Sequence, residues 1–154
     1  MTTPTRGGKR HVVVVLVVML VGVAFAAAGC PSNRNGIEGQ LAQARDEAQS
    51  AARSGALALE SWQRGRSTAS LVSVQLSNAR DDVVEAYQGA AELSVSAGAN
   101  ADWQRSLAGA MNHVVDLLNT AGVVVDQEPP TQTSDELHRE LLAAAEALTG
   151  RPPS

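Results

Sequence analysis

The chain has 154 residues, with 12 lysines and arginines against 16 aspartates and glutamates, which gives a formal charge of −4. Its single cysteine excludes an internal disulfide, and the acidic balance argues against a nucleic-acid partner. Aromatic residues make up only 3% of the chain, so the core must be built mainly from aliphatic side chains.

The first 29 residues have the pattern of a bacterial export signal. Arg6, Lys9 and Arg10 precede an unbroken apolar run over residues 12–29, and small residues close that run, as they do before a signal-peptidase cut. We therefore predict that residues 1–29 are a signal peptide and that the remainder of the chain is exported.

The four residues Ala27-Ala28-Gly29-Cys30 resemble the lipobox of bacterial lipoproteins. In that family the cysteine sulfur receives a diacylglycerol, and the peptide bond before the cysteine is cleaved. The resemblance implies a lipid anchor on Cys30 at the outer face of the cytoplasmic membrane, where each buried methylene contributes about 0.8 kcal/mol to binding. With a single lysine and much alanine, valine and arginine, the chain is similar to small lipoproteins of actinobacterial envelopes.

Two alternatives remain for this segment. Ala26-Ala27-Ala28 also fits an ordinary A-x-A cleavage site, in which case Cys30 carries no lipid. The apolar run of 18 residues could instead be retained as a transmembrane anchor, although about 20 residues are needed to span a bilayer. All three interpretations predict an exported protein.

The exported part suits one domain. Residues 30–154 number 125 and carry nine arginines and sixteen acids, a formal charge of −7, and this length is sufficient for one modest core. The polar, turn-forming residues 31–36 predict a tether. We expect a helical bundle over residues 37–150, followed by a short tail at 151–154.

The first helix is predicted by small and apolar residues that recur at steps of four and three from residue 37 to residue 62. Gly65 can end this helix in the left-handed conformation, and Ser67 or Thr68 can cap the next one. The predicted core stripe consists of Ile37, Leu41, Ala44, Ala48, Ala51, Gly55, Ala58 and Trp62.

The second stripe continues without a missed step to residue 97, so we expect Gly98 to close the second helix and Asn100 to cap the third. The second helix is predicted to bury Val72, Leu76, Ala79, Val83, Ala86, Ala90, Leu93 and Ala97. The third is predicted to bury Trp103, Leu107, Ala110, Val114, Leu117, Ala121 and Val124, with Met111, Leu118 and Val125 beside them.

A fourth, shorter helix is predicted after Pro129-Pro130, which cannot continue the third. Thr133 followed by Glu136 is a capping-box pattern, and Gly150 can stop the helix. Its core residues are expected to be Leu137, Leu141, Ala144 and Leu148. The predicted fold is therefore all-α: an antiparallel four-helix bundle with a shorter fourth helix, preceded by the N-terminal signal or anchor helix.

Unequal helix lengths suggest a binding site. We expect the first three helices to have about 25 to 30 residues and the fourth about 16, so the fourth stops partway along the bundle. The uncovered zone is predicted to be an apolar groove for a lipid, a small apolar ligand or a partner helix. Its predicted lining is Ile37, Leu41, Ala90, Leu93, Trp103 and Leu107. In the alternative, the three alanine-rich helices close on themselves and Trp103 covers their end.

Residue types that bind metals are present, but their positions do not favour a metal site. His113 with Asp116, and Asp135 with His138, are three residues apart on a helix, a spacing that can present two ligands to one ion. These residues fall off the apolar stripes, so we interpret them as surface residues and predict no metal and no cofactor.

Acidic and basic clusters are interpreted in the same way. The pairs Asp46-Glu47 and Asp81-Asp82 diverge by about 100° on a helix, so the members of a pair cannot act on one bond. Arg53, Arg64 and Arg66 could meet an anionic partner, or they could complement the end of the first helix. We therefore predict a non-catalytic binding or scaffold module whose partners are the membrane, through Cys30, and an envelope protein or apolar ligand; the alternative function is a lipid carrier.

Overall fold

The computed structural model describes residues 36–127 and 132–150, which lie in one compact unit and contain no strand. Four helices make up this part: α1 (Ile37–Gln63), α2 (Ala69–Ala91), α3 (Ala99–Asp126) and α4 (Gln132–Ala147). The predicted all-α helical bundle is confirmed. The signal segment, Cys30, the tether before Gly36, Pro129-Pro130 and the tail lie outside the described residues.

Successive helices pack side by side, and α4 packs back against α1, so that the four helices close a ring. Ser73, near the start of α2, donates its hydroxyl to Asp126 at the end of α3 (Oγ–Oδ1 2.8 Å). Gln104, near the start of α3, reaches Ala90 near the end of α2. These two contacts establish that α2 and α3 are antiparallel. In addition, α1 contacts α3 across the ring, whereas the described residues of α2 and α4 do not touch.

The inner face of α1 is built mainly from alanine. Its buried residues are Leu41, Ala44, Ala48, Ala51, Ala52, Gly55, Ala56, Ala58, Leu59 and Trp62. The predicted stripe is buried except for Ile37, which is half-buried, and the buried face is wider than predicted, because it also includes Ala52, Ala56 and Leu59. Because such small side chains keep the backbones close, α1 approaches three helices at once. None of the described helices has both the length and the apolar character that crossing a membrane requires.

The turn between α1 and α2 has the predicted chemistry. Gly65 has φ +65°, a left-handed conformation that glycine adopts without steric cost. The N–H of Gly65 donates to the Trp62 carbonyl, and the N–H of Arg66 donates to the Ser61 carbonyl, both at 2.8 Å. This is the Schellman pattern of helix termination. Thr68 then caps α2 by accepting from the Leu71 N–H at 3.4 Å.

The predicted length of α2 is wrong. The helix ends at Ala91 rather than near Gly98, so Leu93 is half-buried beyond the helix and Ala97 is exposed. The side chain of Gln104 in α3 caps this end. Its amide donates to the carbonyls of Ala90 (2.7 Å) and Leu93 (3.1 Å), and Ala90 also accepts the Leu93 N–H (3.4 Å), so these carbonyls are satisfied without a further helical turn.

The predicted caps of the two later helices also differ from the structure. Gly98 is the N-cap of α3, and Asn100 lies inside that helix. Similarly, α4 already includes Gln132, so Thr133 lies within its first turn. The predicted core positions of α3 and α4 are more accurate than their predicted caps. The predicted stripe of α4 is buried throughout, and the stripe of α3 is buried apart from Ala110 and Val124, which are half-buried.

Candidate functional site

As the sequence predicts, α4 stops partway along α1. The side-chain amide of Gln49 donates to the Ala145 carbonyl at 2.9 Å, and α4 ends two residues later, at Ala147. The end of α4 therefore lies close to the level of Gln49, two residues past this contact. The first turns of α1, roughly ten residues, lie beyond it, which corresponds to about 15 Å of helix at 1.5 Å per residue.

The residues predicted to line an apolar groove are packed together at this end. Leu41 is fully buried, while Leu107 and Trp103 are 4% and 7% exposed. Ile37 and Leu93 are half-buried against the same core cluster. In the described part of the chain these side chains are therefore packed against the core cluster. A lipid carrier would require α1 and α3 to separate here.

The candidate metal ligands lie at the surface. His113, Asp116 and Asp135 are exposed, and His138 is half-buried. Within residues 36–127 and 132–150, no group of three or more histidine, cysteine, aspartate or glutamate side chains could hold a metal ion. The interpretation as a surface residue agrees with the exposure of His113, whereas His138 is partly covered.

The arginines near the end of α1 do not act together. The guanidinium of Arg64 pairs with the Glu60 carboxylate one turn earlier (Nη2–Oε1 2.5 Å). Arg53 and Arg66 are exposed. An exposed pair at this spacing contributes about 0.3–0.5 kcal/mol, so the cluster adds little to the stability of the helix end.

A surface depression that the sequence did not predict lies between α1 and α2. It consists of two adjoining cavities of about 320 and 340 Å³ that share Ser54 and Asp82. We call it the α1/α2 groove. Its lining comes entirely from these two helices: Glu47, Ser50, Ala51, Ser54, Leu57, Ala58 and Ser61 from α1, and Gln75, Asn78, Ala79, Asp82 and Glu85 from α2.

The two ends of the α1/α2 groove differ in character. The first cavity has three carboxylates, those of Glu47, Asp82 and Glu85. The second cavity is lined mostly by neutral side chains, among them Leu57, which is 61% exposed although it is a large apolar residue. Buried alanines contribute to both linings: Ala51 to the first cavity, and Ala58 and Ala79 to the second.

No described arginine forms an ion pair with the three carboxylates at the acidic end of the groove. In the described part of the chain, the ion pairs join Arg45 to Asp46, Arg64 to Glu60, Arg80 to Asp81 and Arg105 to Asp102. The three groove carboxylates take no part in them. Glu47 accepts one hydrogen bond, from the neutral side chain of Gln43 (Nε2–Oε1 2.9 Å). The acidic end therefore has three carboxylates that form no described ion pair, while Arg53 lines an adjoining cavity that shares Ser50, Ser54 and Leu57 with the groove.

A signal for this groove exists in the sequence, but it requires two helices to be considered together. Residues 47, 50, 54, 57 and 61 share one face of α1, and residues 75, 78, 82 and 85 share one face of α2. Antiparallel pairing brings the residues near 47 and 50 beside those near 85 and 82. The adjacent acids Asp46-Glu47 and Asp81-Asp82 are easily seen in the sequence. They do not indicate that carboxylates from two helices line one groove.

Comparison with known proteins yields no relative: no family model, no curated protein and no solved structure matches the chain.

Proposed function

We propose that the protein is an exported lipoprotein of the cell envelope, anchored through Cys30 at the outer face of the cytoplasmic membrane, and that its bundle acts as a non-catalytic binding or scaffold module. The observation that carries the proposal is Ala27-Ala28-Gly29-Cys30 placed directly after an 18-residue apolar run with basic residues before it. The position of the only cysteine at the end of that run is what a lipid anchor requires.

The proposed modification consists of two balanced steps. First, the Cys30 sulfur attacks the glyceryl carbon of a glycerophospholipid; a C–S bond forms, the C–O bond to the phosphorylated headgroup breaks, and the thiol proton leaves with the headgroup. Second, water hydrolyses the peptide bond between Gly29 and Cys30. The cell's export machinery would catalyse both steps, and the thiol is the strongest nucleophile in the segment.

The proposed anchor would keep the bundle close to the bilayer. Six residues separate Cys30 from Ile37, where α1 begins. At no more than about 3.6 Å per residue, a segment of this length reaches about 25 Å. The bundle would therefore act on partners that are themselves at or near the membrane.

Binding is supported by the α1/α2 groove. Its side chains project from two regular helices, so their positions are fixed by the backbone rather than by a loop. The groove offers serine hydroxyls, side-chain amides and carboxylates together with the exposed Leu57. Such a mixture suits recognition of a polypeptide surface.

Metabolic labelling with radioactive palmitate tests the anchor. The wild-type chain should incorporate label, and the Cys30→Ser variant, which keeps the size of the side chain but loses the sulfur nucleophile, should not. The intact mass of the membrane-extracted wild type should correspond to a chain that begins at Cys30 and carries a diacylglycerol. Equal labelling of the two chains, or a mature chain that begins at another residue, contradicts the proposal.

A further inference from the structure

We propose that the α1/α2 groove is the docking site for a basic amphipathic helix of a partner protein. This inference rests on the binding role proposed above. The inference combines the shape of the groove, its charge and the exposed leucine within it. Neither α3 nor α4 covers the groove, since its lining contains no residue of these two helices.

The dimensions of the α1/α2 groove fit one helix. From Glu47 to Ser61 it extends over fifteen positions of α1, which span about 21 Å at 1.5 Å per residue, or roughly four helical turns. Serine and alanine dominate the α1 side of the lining. Small side chains at a contact allow a docked helix to come within the 8–10 Å interaxial distance that is typical of packed helices.

Charge identifies the kind of helix. Glu47, Asp82 and Glu85 lie around one cavity, and no described arginine pairs with them. Lysine or arginine side chains at one end of a docked helix would neutralise these carboxylates and speed the encounter through electrostatic steering. At the other end, Leu57 offers an apolar surface, so the docked helix should also present an apolar residue.

Charge also argues against two other occupants. An anionic lipid surface would be repelled by the three carboxylates. A second copy of this chain that docked groove to groove would present the same three carboxylates, with no arginine in the lining of the groove, and so this pairing offers no complementary charge.

The proposal can be tested with the full-length chain in phosphatidylcholine nanodiscs. The probe is a fluorescent fourteen-residue peptide that forms an amphipathic helix, with arginines at one end and leucines along one face. A scrambled peptide of identical composition controls for charge, and empty nanodiscs control for binding to lipid. Fluorescence anisotropy then gives the affinity of the peptide for each protein variant.

Two matched triple variants separate the groove from overall charge. In the groove variant, Glu47→Gln, Asp82→Asn and Glu85→Gln remove three negative charges. In the control variant, Asp116→Asn, Glu140→Gln and Glu146→Gln remove three exposed charges from α3 and α4. We expect the groove variant to weaken binding about tenfold or more and the control variant less than about twofold. Leu57→Ser should also weaken binding while leaving the charge unchanged.

Three results would overturn the inference: no binding of the amphipathic peptide to the wild type, equal weakening by the two triple variants, or equal affinity for the scrambled peptide. Concentration-dependent dimerisation that the groove variant abolishes would also overturn it, in favour of a second copy. Palmitate labelling of Cys30 is independent of all these readouts, so failure of the docking site and failure of the anchor can be told apart.

Discussion

Gly55 of α1 lies so close to Leu118 of α3 that a Cβ atom on Gly55 would overlap the Leu118 Cδ2 atom. The Cδ2 atom of Leu76 in α2 lies 3.6 Å from the same Cβ position. Both leucines are 2% exposed. Three helices therefore meet at a point where a side chain on residue 55 would require Leu118 to move, and the absence of one allows the close approach of α1 to α3.

Replacing this glycine should destabilise the domain. Overpacking a tight core costs about 1–3 kcal/mol, and the better helix propensity of alanine returns about 1 kcal/mol of it. We expect Gly55→Ala to lower the free energy of unfolding by up to about 2 kcal/mol. Urea denaturation followed by circular dichroism measures the change.

Gly109→Ala in α3 is the matched control, because a Cβ atom at Gly109 would meet nothing within 4 Å. This variant should be more stable than the wild type by up to about 1 kcal/mol. Adding Leu118→Val to Gly55→Ala should recover part of the loss, since the shorter side chain makes room. Equal stability of the two alanine variants would contradict the close contact.

Gln104 should hold the end of α2. Replacing Gln104 with alanine removes two hydrogen bonds, to Ala90 and Leu93, each with a net contribution of about 0.5–1.5 kcal/mol. We expect a loss of about 1–2 kcal/mol in stability and faster hydrogen exchange at the amides of Glu92 and Leu93. Gln88→Ala, at an exposed position of α2, should change neither. Unchanged exchange in Gln104→Ala would count against this tether.

Both tryptophans of the chain are buried, Trp62 with 3% and Trp103 with 7% exposure. Single-tryptophan variants, Trp62→Phe and Trp103→Phe, report on each position separately. We expect both variants to show blue-shifted emission and weak quenching by acrylamide, and the emission should shift to the red when urea unfolds the domain. Strong quenching of Trp103 alone would indicate an open groove at the end where α4 is absent.

Thr68 and the neighbouring Ser67 allow a direct test of the α2 cap. Thr68→Ala should destabilise the domain by about 0.5–1 kcal/mol, at the lower end of the range for N-caps, because the bond to the Leu71 N–H is long, at 3.4 Å. Ser67→Ala should have a smaller effect. The opposite order of the two melting temperatures would assign the cap to Ser67.

Much of the fold was predictable because it follows local rules. The stripe from Leu41 to Trp62 is a property of one helix, and so is its end at Gly65. The end of α2 was not predictable in the same way, since Leu93 and Ala97 continue the apolar period. The carbonyls at its end are satisfied instead by Gln104, which reaches them from α3.

The candidate site was less predictable for a related reason. A short α4 follows from the sequence, but whether the uncovered end opens or closes depends on how near α1 comes to α3. That distance is set by contacts such as Gly55 against Leu118. The α1/α2 groove likewise depends on which residues of α2 lie beside Glu47. The apolar pattern of one helix does not determine this.

Because α4 stops close to the level of Gln49, the protein has a mechanically weak end. A pulling force applied at residue 36 would act first on the section of α1 that α4 does not contact. This section would unfold turn by turn before the force reached Gly55. Resistance should then rise sharply where the fourth helix begins to share the load.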